Sequence, residues 1–159
     1  MRHSSRAERD EPNNGIQPGE AVLLVSPFEE DRAFLMTVLE SARCRTCQAR
    51  TCREAFALLN TERVAVIICE RSLPDGEWKD LLDKLAPLSV PPCLIVTSRA
   101  ADEWLWAEVL NLGGYDVLAK PFDAEEVSRV VTLASRSWER VRTLSPVKPF
   151  TAPGPAGQP

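Results

Sequence analysis

Short apolar runs recur along the chain, and each ends at a polar residue or a proline. Val22-Leu23-Leu24-Val25 runs into Ser26-Pro27, Val66-Ile67-Ile68-Cys69 into Glu70, Leu94-Ile95-Val96 into Thr97-Ser98, and Val117-Leu118-Ala119 into Lys120-Pro121. Runs of this length, rich in β-branched residues, read as strands buried on both faces. Cys44–Ala49 is a weaker strand that belongs at a sheet edge. Between the strands, apolar positions recur with helical spacing. Phe34, Leu35, Val38 and Leu39 mark a helix over Glu29–Ser41. Thr51 with Glu54 forms a capping box that opens Arg53–Asn60. Trp78, Leu81, Leu82 and Leu85 mark Trp78–Leu85. Leu105, Val109 and Leu112 form the buried stripe of Ala101–Leu112, which Gly113-Gly114 stops. Asp123 caps a last helix, with Glu126 at the matching box position, running through Val127, Val130, Val131, Leu133, Ala134, Trp138 and Val141. Leu73-Pro74-Asp75-Gly76 reads as a turn and nothing more.

Five strands, each followed by a helix through a short connection, predict an α/β fold: a doubly wound five-stranded parallel sheet with helices on both faces. The expected strand order is 2-1-3-4-5. In such a sheet the strand C-termini converge on one crevice, where sites form. Ser26, Glu70, Thr97 and Lys120 are therefore aimed at a common spot. Residues 1–19 are polar and aperiodic, and 144–159 are rich in Pro, Gly and Ala; both read as disordered tails around a folded unit of 20–143.

Composition narrows the class. Charged residues make up 26% and apolar residues 44%, the balance of a soluble globular domain. A net charge of -4 argues against nucleic acid or an anionic membrane as partner, since both call for a basic face. No run of about 18 apolar residues is present, and residues 1–17 lack the apolar core of a secretory signal, so the expected location is cytoplasmic. The five cysteines include Cys44-x2-Cys47, a metal or redox spacing, but the one histidine, His3, lies in the polar tail and no ligand set is completed. Reduced, structural thiols are expected. An enzyme or nucleotide binder is disfavoured. Ser26-Pro27-Phe28 stands where a Gly-rich phosphate loop would follow the first strand, and no histidine in the folded unit could activate a hydroxyl nucleophile.

Leu73-Pro74-Asp75-Gly76, Thr97 and Lys120-Pro121-Phe122 occur in an order that resembles the receiver (response regulatory, CheY-like) domain of two-component response regulators. The resemblance spans about 21–144 and implies a flavodoxin-like fold. Such domains carry an acidic pair after the first strand, a phosphoacceptor Asp after the third, Thr or Ser after the fourth, and Lys-Pro after the fifth. Here the acidic pair falls on Ser26 and Pro27, and the phosphoacceptor position on Glu70. The aromatic switch position falls on Val117, with Tyr115 two residues away on the expected same side of the strand.

These departures have physical consequences. Mg²⁺ is usually held by one or two carboxylates with waters and phosphate. Ser26 offers a neutral hydroxyl and Pro27 no side-chain oxygen, so no cofactor is expected, with Mg²⁺ binding weak if it occurs at all. Glu29, Glu30 and Asp31 could in principle supply an oxygen, but acids in a first helical turn ordinarily compensate the helix dipole. Glu70 reaches about 1.5 Å further than Asp, toward the place of a phosphoryl group. Its expected partner is Lys120, with Thr97 donating a hydrogen bond. At 4 Å and an effective dielectric near 20 the pair attracts by about 4 kcal/mol, less desolvation.

The resemblance thus implies a stand-alone, non-enzymatic module of phosphorelay signalling, a pseudo-receiver fixed in one state and working through protein contacts. The alternative is a receiver still phosphorylated through a weak Mg²⁺ site of Ser26, Glu70 and a loop carboxylate. The implied partners are signalling proteins, a histidine kinase or a downstream regulator, or a second copy across the face of the fourth helix, fifth strand and fifth helix. Trp104, Trp106 and Tyr115 are the candidate contact residues there, because exposed aromatic side chains anchor interfaces.

Overall fold

The structure is a computed structural model in which residues 20–144 are described. The elements are β1 (Glu20–Val25), α1 (Glu29–Ser41), β2 (Arg45–Ala49), α2 (Cys52–Thr61), β3 (Arg63–Glu70), the short strands β4 (Ser72–Leu73) and β5 (Gly76–Glu77), α3 (Trp78–Leu85), β6 (Cys93–Ser98), α4 (Glu103–Leu112), β7 (Asp116–Ala119) and α5 (Ala124–Leu144). The main sheet is parallel in the order β2-β1-β3-β6-β7, which is 2-1-3-4-5 when only its own strands are counted. The expected strand β2 lies at the edge. The expected turn at Leu73–Gly76 is closed by the small antiparallel ribbon of β4 and β5.

The apolar alternation of the strands divides the core in two. Leu23, Val25, Ile67, Cys69, Leu94, Val96 and Val117 pack with Ala55, Trp78, Leu81, Leu85, Leu105 and Val109 on the α2–α3–α4 side. Val22, Leu24, Val66, Ile68, Ile95 and Leu118 pack with Leu35, Leu39, Val127, Val130, Val131, Ala134 and Trp138 on the α1–α5 side. Neither helical layer could bury its apolar stripe alone, and the sheet between them serves both.

Several local expectations are corrected. Thr51 does cap α2 by accepting from Glu54 N, but Glu54 Oε1 reaches back to Arg50 N rather than to Thr51 N. The full reciprocal capping box is instead at α3, between Glu77 and Asp80. Asp75 is more than a turn residue: its carboxylate accepts from Cys52 N at 2.7 Å and Arg53 N at 3.0 Å, closing the N-terminus of α2 from 23 residues away. Leu112 is half exposed and does not join Leu105 and Val109, because α4 ends there and Gly113, at φ +109°, turns the chain away. Gly114 then passes so close to Val109 that a Cβ would run into its side chain. Leu144, placed in the tail by composition, is the last residue of α5. The tails assigned to 1–19 and 145–159 lie outside the described residues.

Candidate functional site

Adjacent strand ends build the site. Glu70 closes β3 and stands directly opposite Thr97 of β6. The Thr97 hydroxyl donates to Glu70 Oε1 at 2.8 Å. Lys120 follows β7 and is held in place by its backbone N–H on Ser98 O at 3.1 Å. The Lys120–Pro121 peptide is cis, and Phe122 stacks on Phe34 of α1 with ring centroids 5.7 Å apart. The lysine side chain is buried in the crevice. Lys120 Nζ donates to the same Glu70 Oε1 at 2.8 Å. The pocket pairing expected of Glu70, Thr97 and Lys120 is thus present in the structure.

The sequence favours dipole compensation for Asp31, and the structure keeps it in the first turn of α1 while giving its carboxylate a partner across the crevice. Lys120 Nζ donates to Asp31 Oδ2 at 2.7 Å, so one ammonium bridges two carboxylates. The three side chains are 4%, 17% and 11% exposed for Lys120, Asp31 and Glu70, so the pairs are shielded from bulk water rather than dissolved in it. The Phe28 ring centroid lies 4.7 Å from the same nitrogen, a cation–π distance. The pairing of Asp31 with Lys120 is the contact that sequence reasoning missed. The available signal was its place in the first turn of a helix that starts right after β1, on the crevice side of the sheet. Glu29 and Glu30 share that turn and leave the dipole served without it.

Ser26 and Pro27 occupy the β1 end but offer the crevice little. Ser26 is buried, and its hydroxyl accepts from Phe28 N at 3.1 Å, a local turn bond. Its carbonyl accepts from Arg32 Nη1 at 2.7 Å, while Arg32 Nε donates to Gln48 Oε1 at 3.0 Å. Pro27 is half-buried and has no side-chain donor or acceptor. The receiver family's Mg²⁺ does not fit this donor set. Of the oxygens near the strand ends, Ser26 Oγ is taken by a backbone amide, and Glu70 Oε1 and Asp31 Oδ2 are both taken by an ammonium. Among the described residues no group of three or more His, Cys, Asp or Glu side chains could hold a metal.

The cysteines divide between the two faces of the sheet. Cys44 packs on the α1–α5 side and Cys47 on the other, so the Cys-x2-Cys spacing does not converge. None of the five is in a disulfide, and burial raises each thiol above its ordinary range, Cys52 and Cys93 to about 11.

The residues assigned to partner contact separate. Trp104, in the first turn of α4, is 85% exposed, and Trp106 is 50% exposed beside a shallow groove formed with Ala101, Asp102 and Glu103. Tyr115 is not on the same side as Val117, as its spacing suggested. Val117 faces α3 and α4, whereas Tyr115 packs on the α1–α5 side. The reason is that β7 begins only at Asp116, so the pleat does not extend to Tyr115, whose N–H bonds Leu94 O at 2.7 Å. It follows the opposite end of α4 from Trp104, which lies about 12 Å of helical rise from the last residue of that helix.

The model of the response regulator receiver domain matches residues 22–132, and the chain belongs to that family. It is 28% identical over 130 residues to the KDP operon transcriptional regulatory protein KdpE of Escherichia coli, covering 82% of this chain and 57% of that protein. It is 25% identical over 124 residues to the C4-dicarboxylate transport transcriptional regulatory protein DctD of Rhizobium meliloti, covering 78% of this chain and 26% of that one. The chain therefore matches just over half of one curated relative and about a quarter of the other. Among solved structures it is similar to the receiver domain of the Francisella response regulator 1452, with a TM-score of 0.68, 25% identity, and 75% and 98% of the two chains covered. It shares the fold of the receiver domain of a LuxO repressor protein from Vibrio parahaemolyticus, with a TM-score of 0.74, 20% identity, and 81% and 98% covered. Receiver domains are signalling modules of two-component systems. Among the described residues no helix is long and apolar enough to cross a membrane.

Proposed function

We propose that this receiver is a pseudo-receiver, held in one state by its own side chains and acting through protein contacts rather than by accepting a phosphoryl group. The observation that carries the reading is Glu70 Oε1, which accepts from both Lys120 Nζ and the Thr97 hydroxyl at 2.8 Å. In the family these lysine and hydroxyl positions accompany the phosphoacceptor. Here the carboxylate at that position already engages both, and the acids expected after β1 are Ser26 and Pro27.

The test is treatment of the chain with acetyl phosphate and Mg²⁺, read by intact mass. No adduct is expected. A Mg²⁺-dependent adduct mapped to Glu70 overturns the reading and restores a phosphorylatable receiver with a weakened metal site.

On this reading the chain works in the cytoplasm as a binding module, not an enzyme, and its partner is a histidine kinase, a downstream regulator or a second copy of itself. Trp104 is the anchor of that contact, since it is the most exposed large apolar side chain of the described residues. Trp106 flanks it. A similar receiver domain, that of NtrC4, is described as a dimer in its beryllofluoride-activated form, which supports a second copy as one such partner.

A further inference from the structure

We infer that the seam between α3 and α4 is where a second copy of this chain docks, each copy seating its Trp104 in an apolar groove at the end of the other's seam. The inference rests on the contact role proposed for Trp104 and adds the partner, the face and the mode of pairing to it.

Trp104 and the groove lie on one flank of α4. Trp104, Glu108 and Leu112 follow one another at four-residue intervals, so they share a side of the helix. That side faces α3. Glu108 Oε2 accepts from Lys79 Nζ at 2.6 Å, and Leu112 joins Leu82, Leu85, Pro91 and Pro92 around a groove of about 190 Å³. Trp106 and Leu110, also four residues apart, take the opposite flank.

A knob and a hole thus stand on the same surface, and neither serves the other within one chain. Trp104 is 85% exposed, and Leu112 of the groove lies about 12 Å further along the helix. Dry cavities of about 150 Å³ lined by apolar side chains take up benzene, so the groove has room for an aromatic ring.

Two copies satisfy both. When two α4 helices pack antiparallel about a two-fold axis at Glu108, each Trp104 lies opposite the other copy's groove. Glu108 comes to that axis already paired with Lys79, so two neutral pairs meet there rather than two bare carboxylates. An indole covers about 150–250 Å², and the two contacts bury roughly 600–1,000 Å² over both copies, the area of a reversible dimer rather than a permanent one. Both Trp104 side chains are used in the pair, so the assembly closes at two.

Sedimentation equilibrium of the full 159-residue chain tests this. The unaltered chain should form dimers, and nothing larger, below about 1 mM. Trp104→Ala removes the knob, and Leu112→Arg puts a charge into the groove; each should weaken self-association by about tenfold or more. An equimolar mixture of the two variants should associate more tightly than either alone, because the knob of one still fits the groove of the other. A dimer unchanged by either variant overturns the inference. So does a mixture no tighter than its components, a polymer beyond the dimer, or an unaltered chain that stays monomeric at about 1 mM. Should Leu112→Arg fail to fold, Ala86→Arg, at an exposed position on the same groove, takes its place. If removing residues 145–159 shifts the methyl resonances of Leu82 and Leu112 in a monomeric chain, the groove belongs to that segment and the inference falls. A dimer lost with Trp104→Ala but untouched by the groove variants leaves Trp104 as an anchor and overturns its seat. A phosphoryl adduct on Glu70 overturns the pseudo-receiver reading and leaves the pairing intact.

Discussion

Lys120 and Glu70, fifty residues apart in the chain, meet at 2.8 Å with side chains only 4% and 11% exposed. A pair so placed stabilises mainly by conditional logic. Forming it costs desolvation of both ions, and breaking it leaves one buried charge alone. Lys120→Met should therefore destabilise by about 3 kcal/mol, since it strands both Glu70 and Asp31. Lys120→Met combined with Glu70→Gln should cost less than the sum of the single changes, with a coupling of about 1–3 kcal/mol. Urea denaturation of the four proteins checks this, and additive effects would remove the lock from the proposed function.

Asp75 makes acid sensitivity testable at a position remote from the pocket. Hydrogen bonds from the Cys52 and Arg53 amides hold its carboxyl below the ordinary value of 3.8. A depressed folded pKa contributes stability that is present above the unfolded value and is lost as pH falls through the folded one. Asp75→Asn should therefore lower the melting temperature at pH 7 and flatten its dependence on pH below about 4. A melting curve series that stays parallel to that of the unaltered chain would contradict the cap.

Trp104 is so exposed that its removal should leave the fold nearly untouched. Trp104→Ala should change stability by less than about 0.5 kcal/mol, the range of ordinary surface changes. Self-association by sedimentation, or capture of a cognate kinase or regulator, should weaken by tenfold or more if the residue anchors the contact. Unchanged association would place the interface elsewhere.

The thiols should be slow. Burial raises Cys52 and Cys93 to about 11 and Cys69 well above its ordinary value, so little thiolate exists at neutral pH. Maleimide labelling of the native chain at pH 7 should lag that of the urea-unfolded chain by at least tenfold. Mild oxidation should form no Cys44–Cys47 disulfide, because the sheet lies between them. Rapid native labelling, or that disulfide, would contradict the packing.

Much of this molecule is written in local pattern. The strand runs ending at Val25, Cys69 and Val96, and Val117-Leu118 of the last run, are buried for the reason their sequence states: a parallel sheet covered on both faces leaves little exposed side for polar residues. Alternation of strands and helices with short connections leaves few topologies, so the order of the sheet was legible too. Glu70, Thr97 and Lys120 were readable as neighbours because each ends a strand of that sheet, and strand ends converge.

What the pattern did not contain were contacts set by helix placement and chain reach. Asp31 looks like any acid in a first helical turn, and only the way α1 lies over the sheet brings its carboxylate to Lys120, 89 residues away. Asp75 looks like a turn residue until the third strand's turn meets the N-terminus of α2. Tyr115 obeys a two-residue period on paper, but β7 starts one residue later, and the side chain goes to the other face. Periodicity reports which face of an element is apolar, because burial is repeated and additive along it. A single polar contact between distant elements is made once, by tertiary geometry, and leaves no repeat for a sequence to show.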